Sequence, residues 1–353
     1  MTYKILILGA SYGSLLGTKL IAAGHDATLV CRAETAELIN AEGTEVRIKL
    51  LDEETHRSFF SASLKGGMDA VAPEDARPQD YDLVCLAMQE PQYSHPALSD
   101  LLARVAKAGV ACMSIMNMPP LPYLKRIPGL DTAGLKDAYL NVGMWDAFDP
   151  ELMTLCSPDP QAFRAPEERA NVLHVGLPTN FKVSKFKDPK LNAMLETLAA
   201  DIEAFRVDGK EVPVKLRVFD SLFVPFAKWA MLATGNYRCI TPGGPIAIRE
   251  AVHSDIEKSK QIYGFVNDVV ERLGANPADM VPFEKYASAA TNLQKPSSAA
   301  RAVFSGAINI ERVDKLINLT AGALNMSHPE VSGTVATVDD KLAANARSAA
   351  STV

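Results

Sequence analysis

The chain has 353 residues, 48% of them apolar and 22% charged; that length suggests two domains, and the balance excludes wholesale disorder. With 36 lysines and arginines against 42 aspartates and glutamates, the net charge is −6, so there is no basic excess to neutralise a nucleic-acid backbone. No apolar run reaches the ~18 residues of a bilayer span. The opening MTYKILILGA lacks the long apolar region and small-residue cleavage site of a signal peptide, so a cytoplasmic protein without a membrane segment is expected. Cys31, Cys85, Cys112, Cys156 and Cys239 form no CxxC pair, and the six histidines form no HxxxH or HExxH. Neither a disulfide framework nor a metal site is expected.

In chain order, Tyr3–Leu8, Asp26–Cys31, Tyr81–Met88 and Gly109–Met116 are short apolar runs that predict buried strands. Ser14–Ala23 and Pro96–Ala108 carry apolar residues at helical spacing between them. Strand, helix, strand in this order predicts right-handed βαβ units and a doubly wound, Rossmann-type parallel sheet. Glu45–Leu51 and His56–Ser61 predict further strands at an edge of that sheet. From Pro150 to Arg169 the composition turns to Pro, Asp and Ser and predicts a surface excursion. Val172–Phe186 resumes strand patterning, and Leu191–Arg206 predicts an amphipathic helix. The stretch VDGKEVPVK predicts the domain boundary, giving an α/β domain over 1–211 and a mostly α-helical domain over 212–353. In the second, Phe219, Leu222, Phe223, Phe226 and Ala230 are expected on one helical face, and Ile256, Val266, Val269 and Leu273 on another before a cap at Gly274. The Ala- and Ser-rich tail after about Val335 predicts a last helix with a frayed end.

The first strand runs into Gly9-Ala10-Ser11-Tyr12-Gly13. A glycine turn between strand one and helix one is where α/β folds bind a pyrophosphate, because the helix N-terminus offers unbonded N–H groups and glycine lets the backbone approach. Gly13 and Gly17 would also let the helix pack closely on the sheet. The same five residues spell G-x-S-x-G, the nucleophile elbow of an α/β-hydrolase with Ser11 as nucleophile. That reading lacks an upstream oxyanion loop, and a plain structural turn is the third alternative; the nucleotide turn is preferred. After the second strand, Arg32 stands where an NAD-binding domain usually has Asp or Glu. Its guanidinium suits a 2′-phosphate, which favours NADPH. Lys228, within FVPFAKWAML, is either a snorkelling core lysine or a partly desolvated proton donor.

The segment KILILGA through GSLLGTKLIAAGHDATLVCR resembles the opening of the ketopantoate reductase (2-dehydropantoate 2-reductase) family. Asn117 in SIMNMPP, Lys228, Ser298 in PSSAAR and Glu311 in IERVD match its later anchor residues, so the resemblance spans both domains. It implies NADPH-dependent reduction of a 2-keto acid to a 2-hydroxy acid in a cleft between the domains. Gly9, Ala10, Ser11, Tyr12, Gly13, Arg32 and Gln89 would hold the cofactor. By the resemblance Lys228 protonates the developing alkoxide, Glu311 orients Lys228 or holds a substrate hydroxyl, and Asn117 stands near the nicotinamide and the reacting carbonyl as a third catalytic residue. Ser298, with Asn236 and Arg301, would bind the substrate.

The departures from the family pattern are specific. The glycine turn is a residue shorter than G-x-G-x-x-G, with Ser11 at the second glycine. Gln89 stands for a lysine and Leu232 for an asparagine, while Asn236 is retained. These changes argue against ketopantoate itself and for a bulkier or less hydroxylated substrate. Glu311 is one residue out of step, which leaves Asp314 as an alternative. Arg238 is a further candidate for a substrate carboxylate. Trp145–Arg169 is longer than the family needs; it is read either as a plain surface loop or as a lid or homodimer contact anchored by Trp145, Phe148 and Phe163. The alternatives to a keto-acid reductase are an imine- or opine-type reductase, a hydrolase using Ser11, and a non-catalytic NADP sensor.

Overall fold

The structure, a computed structural model, describes residues 1–351. The chain divides into two compact units: Met1–Met88, Gln92–Arg126 and Gly143–Leu222 form the first, and Gln89–Pro91, Ile127–Val142 and Phe223–Val353 the second.

The strands of the first unit are β1 (Lys4–Leu8), β2 (Asp26–Val30), β3 (Glu45–Lys49), β4 (His56–Phe60), β5 (Met68–Val71), β6 (Leu83–Leu86), β7 (Cys112–Ile115), β8 (Met153–Ser157), β9 (Gln161–Phe163), β10 (Val172–Leu177), β11 (Phe181–Ser184), β12 (Arg206–Val207), β13 (Lys210–Glu211) and β14 (Leu216–Phe219). Its helices are α1 (Ala10–Ala23), α2 (Ala33–Glu42), α3 (Pro96–Ala108), α4 (Leu121–Leu124) and α5 (Pro189–Ala204). The main sheet has the order β14-β11-β8-β7-β6-β1-β2-β5. Its β5-β2-β1-β6-β7-β8 block is parallel throughout, which is the doubly wound order with its reversal between β1 and β6. Ile5–Leu8 and Leu83–Leu86 are fully buried, as strands covered by helices on both faces must be. Helix α1 ends at Gly24 (φ 97°) and α3 at Gly109 (φ 63°), both left-handed caps.

Four expectations are corrected here. The strands expected at an edge of the main sheet, β3 and β4, instead belong to a separate sheet of order β4-β3-β10-β9. Their register is set by the distant β10, which pairs parallel to β3. The expected surface excursion after Pro150 contains β8, a wholly buried strand in the middle of the main sheet. Its polar groups are matched from afar: Thr154 Oγ1 donates to the Ser184 carbonyl, and Arg126 Nη1 donates to the Met153 carbonyl at 2.8 Å. The helical face expected from Phe219 onwards starts too early, because Leu216–Phe219 is β14, parallel to β11 at the sheet end. Trp145 and Phe148 are likewise core rather than lid anchors: Trp145 is fully buried, edge-to-face with Tyr93 at 6.0 Å and 5.8 Å from Phe148. Only Phe163 of that trio is exposed, stacked on His174.

The second unit carries α6 (Ala227–Met231), α7 (Ile248–His253), α8 (Ile256–Arg272), α9 (Phe283–Ala290), α10 (Ser298–Phe304), α11 (Val313–Ala323) and α12 (Pro329–Ala350). Asp255 caps α8 by accepting from Lys258 N, and Val266, Val269 and Val270 face the core. Ile256, expected on that face, is 38% exposed, and Ile262 and Tyr263 take the buried positions. The expected last helix is α12, held by Val331, Val335 and Val338; the terminal Thr352 and Val353, where fraying was expected, lie outside the described residues. Among the described residues all five cysteines are free thiols, no three metal-ligating side chains gather, and no helix is long and apolar enough to cross a membrane.

Candidate functional site

In the first unit, α1 begins one residue after β1. Gly9 occupies the N-cap position at φ 110°, a conformation that disfavours any side chain. A Cβ there would stand 2.6 Å from Met88 Cγ and 3.0 Å from the Ala87 carbonyl oxygen. The ends of β1 and β6 therefore close on bare backbone at the reversal of strand order, where open α/β sheets bind ligands. Gly9 N donates to the Val30 carbonyl at 2.9 Å and Gly13 N to the Gly9 carbonyl at 3.1 Å. The first turn, Ala10, Ser11 and Tyr12, has no acidic residue and no side-chain cap, so its N–H groups suit an anion such as a pyrophosphate. Gly13 and Gly17 let α1 settle on the sheet: a Cβ would reach within 2.6 Å of Ile7 Cγ2 and 2.9 Å of Met68 Cε respectively.

Around this turn, Ser11 is exposed, and among the described residues no histidine or carboxylate bonds its hydroxyl. Tyr12 is anchored instead, its phenol donating to the Pro160 carbonyl at 2.8 Å and its ring edge-on to Phe181. Arg32 is exposed at the N-cap of α2 and enters no ion pair among the described residues. Asn117 lies two residues beyond β7, half-buried. Gln89 is exposed and is grouped with the second unit, whereas the other proposed cofactor residues belong to the first.

In the second unit, Lys228 is half-buried on α6. The helix then widens into a π-turn, Leu232–Asn236, which carries Asn236 half-exposed at its end. Ser297, the neighbour of Ser298, is a buried hydroxyl: it donates to the Asn236 carbonyl at 2.6 Å and caps α10 by accepting from Ala300 N. Ser298 and Arg301 are exposed on α10. Leu232 is buried, so it adds little apolar surface. Arg238 is spent inside the unit, donating to the Thr234 carbonyl at 3.2 Å and to Ser259 Oγ at 2.8 Å.

Glu311 and Asp314 differ in their hydrogen bonding. Both Asp314 oxygens accept from Arg312, at 3.0 and 2.9 Å. The backbone of Glu311 is fixed by Tyr237, which donates to its carbonyl and accepts from Val313 N. Beside Glu311 the structure places a second buried carboxyl that sequence reading missed, Glu90, 1% exposed. It accepts from Leu140 N at 3.2 and 3.4 Å. Burial, with the Glu311 charge adding to it, pushes the Glu90 carboxyl up to about 7. Its own burial, with the same two carboxylates adding to it, raises the Tyr139 phenol far above its usual range. Glu90 follows Gln89 and opens a short 3-10 turn, Glu90–Ser94, and no local pattern marks it.

No protein-family model matches the chain, and no curated protein sequence matches it. Solved structures do match, over nearly the whole chain. The ternary structure of D-mandelate dehydrogenase with NADH and anilino(oxo)acetate has a TM-score of 0.65 at 13% identity, covering 97% of this chain and 99% of that one. The 2-dehydropantoate 2-reductase of Methylococcus capsulatus has a TM-score of 0.62 at 12% identity, covering 94% of each. The dimeric ketopantoate reductase of Staphylococcus aureus has a TM-score of 0.60 at 10% identity, covering 97% and 99%. At such identities the likeness is one of architecture: the chain has the fold of the ketopantoate reductases.

Proposed function

We propose that the chain is an NADPH-dependent oxidoreductase that reduces a 2-keto acid, or a similar carbonyl compound, to the hydroxy acid. The observation that carries this reading is the bare-backbone glycine turn at the β1/β6 reversal, within a fold whose solved examples include reductases and a dehydrogenase of 2-keto acids. The first-turn N–H groups of Ala10, Ser11 and Tyr12 would face the pyrophosphate, and Arg32 would pair with the 2′-phosphate. A neighbour of the same fold is described with NADH; the exposed guanidinium in place of a ribose-binding carboxylate supports NADPH here.

When bound, a reduced nicotinamide supplies hydride to the carbonyl carbon. The residues of the chain then have to manage the negative charge that gathers on the carbonyl oxygen. Lys228 Nζ gives that oxygen its proton as charge develops, a role open to an amine only partly in contact with water. Glu311 orients the Lys228 ammonium. Asn236, Ser298 and Arg301 are assigned to the substrate, Gln89 to the cofactor, and Asn117 to the catalytic group beside the nicotinamide and the reacting carbonyl. The dimeric relative supports a homodimer, and five free thiols support a cytoplasmic setting.

Titration of the purified protein with NADPH and NADH, followed by nicotinamide fluorescence and then a panel of 2-keto acids, tests the reading. Micromolar NADPH binding, much weaker NADH binding and turnover of a keto acid are expected; no binding of either cofactor overturns it.

A further inference from the structure

The helix that carries Lys228 does not continue as an α-helix. The N–H of Tyr237 donates to the carbonyl of Leu232, five residues back instead of four. Side chains bond carbonyls of this widened stretch and of Met231, the residue before it. Tyr286 Oη donates to the Met231 carbonyl at 3.1 Å, Arg238 Nη1 to the Thr234 carbonyl at 3.2 Å, and Cys239 Sγ to the Gly235 carbonyl at 3.2 Å. Tyr286 comes from α9 and reaches the helix only because residue 235 is glycine: a Cβ there would lie 2.0 Å from Tyr286 Oη. The ring is itself clamped, buried and stacked on Tyr263 at 5.5 Å with 22° between planes. Burial raises the Tyr286 phenol above its ordinary value, so it keeps its proton and remains a donor.

The consequence lies in the helical register. Lys228 and Asn236 are eight residues apart, so an unbroken α-helix would set them about 80° apart around its axis. One extra residue taken up by a π-turn offsets that by about 100°, which leaves them within about 20° of the same face. Ser297 then holds the Asn236 carbonyl at 2.6 Å and fixes the far end of the turn. Single π-turns inside α-helices recur at functional sites.

We infer that Tyr286 and Gly235 are positioning residues, a phenol-in-glycine wedge that sets the π-turn and so aligns Asn236 with Lys228. The inference rests on the reading of Lys228 as proton donor, and it predicts a division of effects that packing alone does not. Tyr286→Phe should lower kcat for the keto acid on the order of tenfold to a hundredfold, while the NADPH dissociation constant stays within about twofold of wild type. Gly235→Ala should destabilise the fold through the clash with the phenol. The double variant Gly235→Ala/Tyr286→Phe removes the clashing oxygen and leaves the ring carbon Cζ 3.3 Å from the new methyl. It should regain most of the lost melting temperature and stay slow. Turnover that recovers together with melting temperature, or Tyr286→Phe at wild-type rate, overturns the inference. Should the wild type reduce no keto acid, the functional reading fails by itself. The crystal structure of Tyr286→Phe then decides the wedge: an α-helical register over residues 232–236 supports it, and a retained π-turn overturns it.

Discussion

The glycine turn of the first unit and the widened helical turn of the second reach a similar end by opposite means. At Gly9–Gly13 side chains are absent so that backbone can approach backbone, with a Cβ on Gly9 excluded by Met88 and Ala87. At Leu232–Asn236 side chains from other elements enter the helix and bond its carbonyls. The first device depends on neighbours in sequence and on the ends of two adjacent strands. The second depends on α9 and on the residue before α10, which the chain reaches some fifty residues later. A site assembled from missing atoms is therefore visible as a local motif, whereas one assembled by inserted atoms is not.

Four experiments would break or sharpen that contrast, in decreasing order of expected effect. Gly9→Ala meets both a positive φ and a closed space, so it should cost about 3 kcal/mol in urea denaturation and abolish NADPH binding. A stable variant with intact binding would show that the turn has room to spare. Lys228→Ala should lower turnover about a hundredfold or more, the size expected for a lost proton donor, with the protein still folded. A near-wild-type rate would return Lys228 to the class of snorkelling lysines.

Glu90 supplies a test through pH. Its carboxyl ionises near 7 in the folded protein against an ordinary 4.5. Between those values the native state still holds a proton that the unfolded chain has released, so stability falls as pH rises through this window and then levels. Glu90→Gln cannot ionise and should be more stable than wild type at pH 8 by on the order of 2 kcal/mol, with little difference at pH 4. Equal effects at both pH values would remove the buried charge from the account. Lys19 behaves oppositely: burial lowers it to about 7, where its Nζ donates to the Val212 and Pro213 carbonyls. Its contribution to stability grows as pH rises from about 7 toward 10.5 and is lost as pH falls through 7. The smallest effect expected is for Arg32→Ala: about tenfold weaker NADPH binding, near 1.4 kcal/mol, with NADH almost unchanged. Equal loss for both cofactors would end the 2′-phosphate assignment.

Much of the first unit was legible because its strands are continuous apolar runs and its first helices carry plain periodicity. β1, β2, β6 and β7 fall within their predicted runs, and α3 spans Pro96–Ala108 as predicted. β8 was not legible: MTLCS is short, holds two polar residues and sits among Pro, Asp and Ser, and only its pairing with β7 and β11 makes it an interior strand. β14 was read as helix because its Phe219 fits a helical face with later aromatics; pairing with β11 overrides that spacing. Among candidate site residues, the turn, Arg32 and Lys228 stand out by position or by chemistry out of place. Glu90, Ser297, Gly235 and Tyr286 carry no such mark, since their meaning lies in partners that fold next to them.

By itself, then, the sequence determined the alternation of strand and helix, the glycine turn after β1 and the arginine after β2, because these follow from local sterics and burial. Tertiary structure decided the strand order, the separate small sheet, the pairing that engages Asp314 with Arg312 and the π-turn under Asn236. Those depend on which distant groups meet in a space without water, where a carbonyl or carboxyl must find a partner.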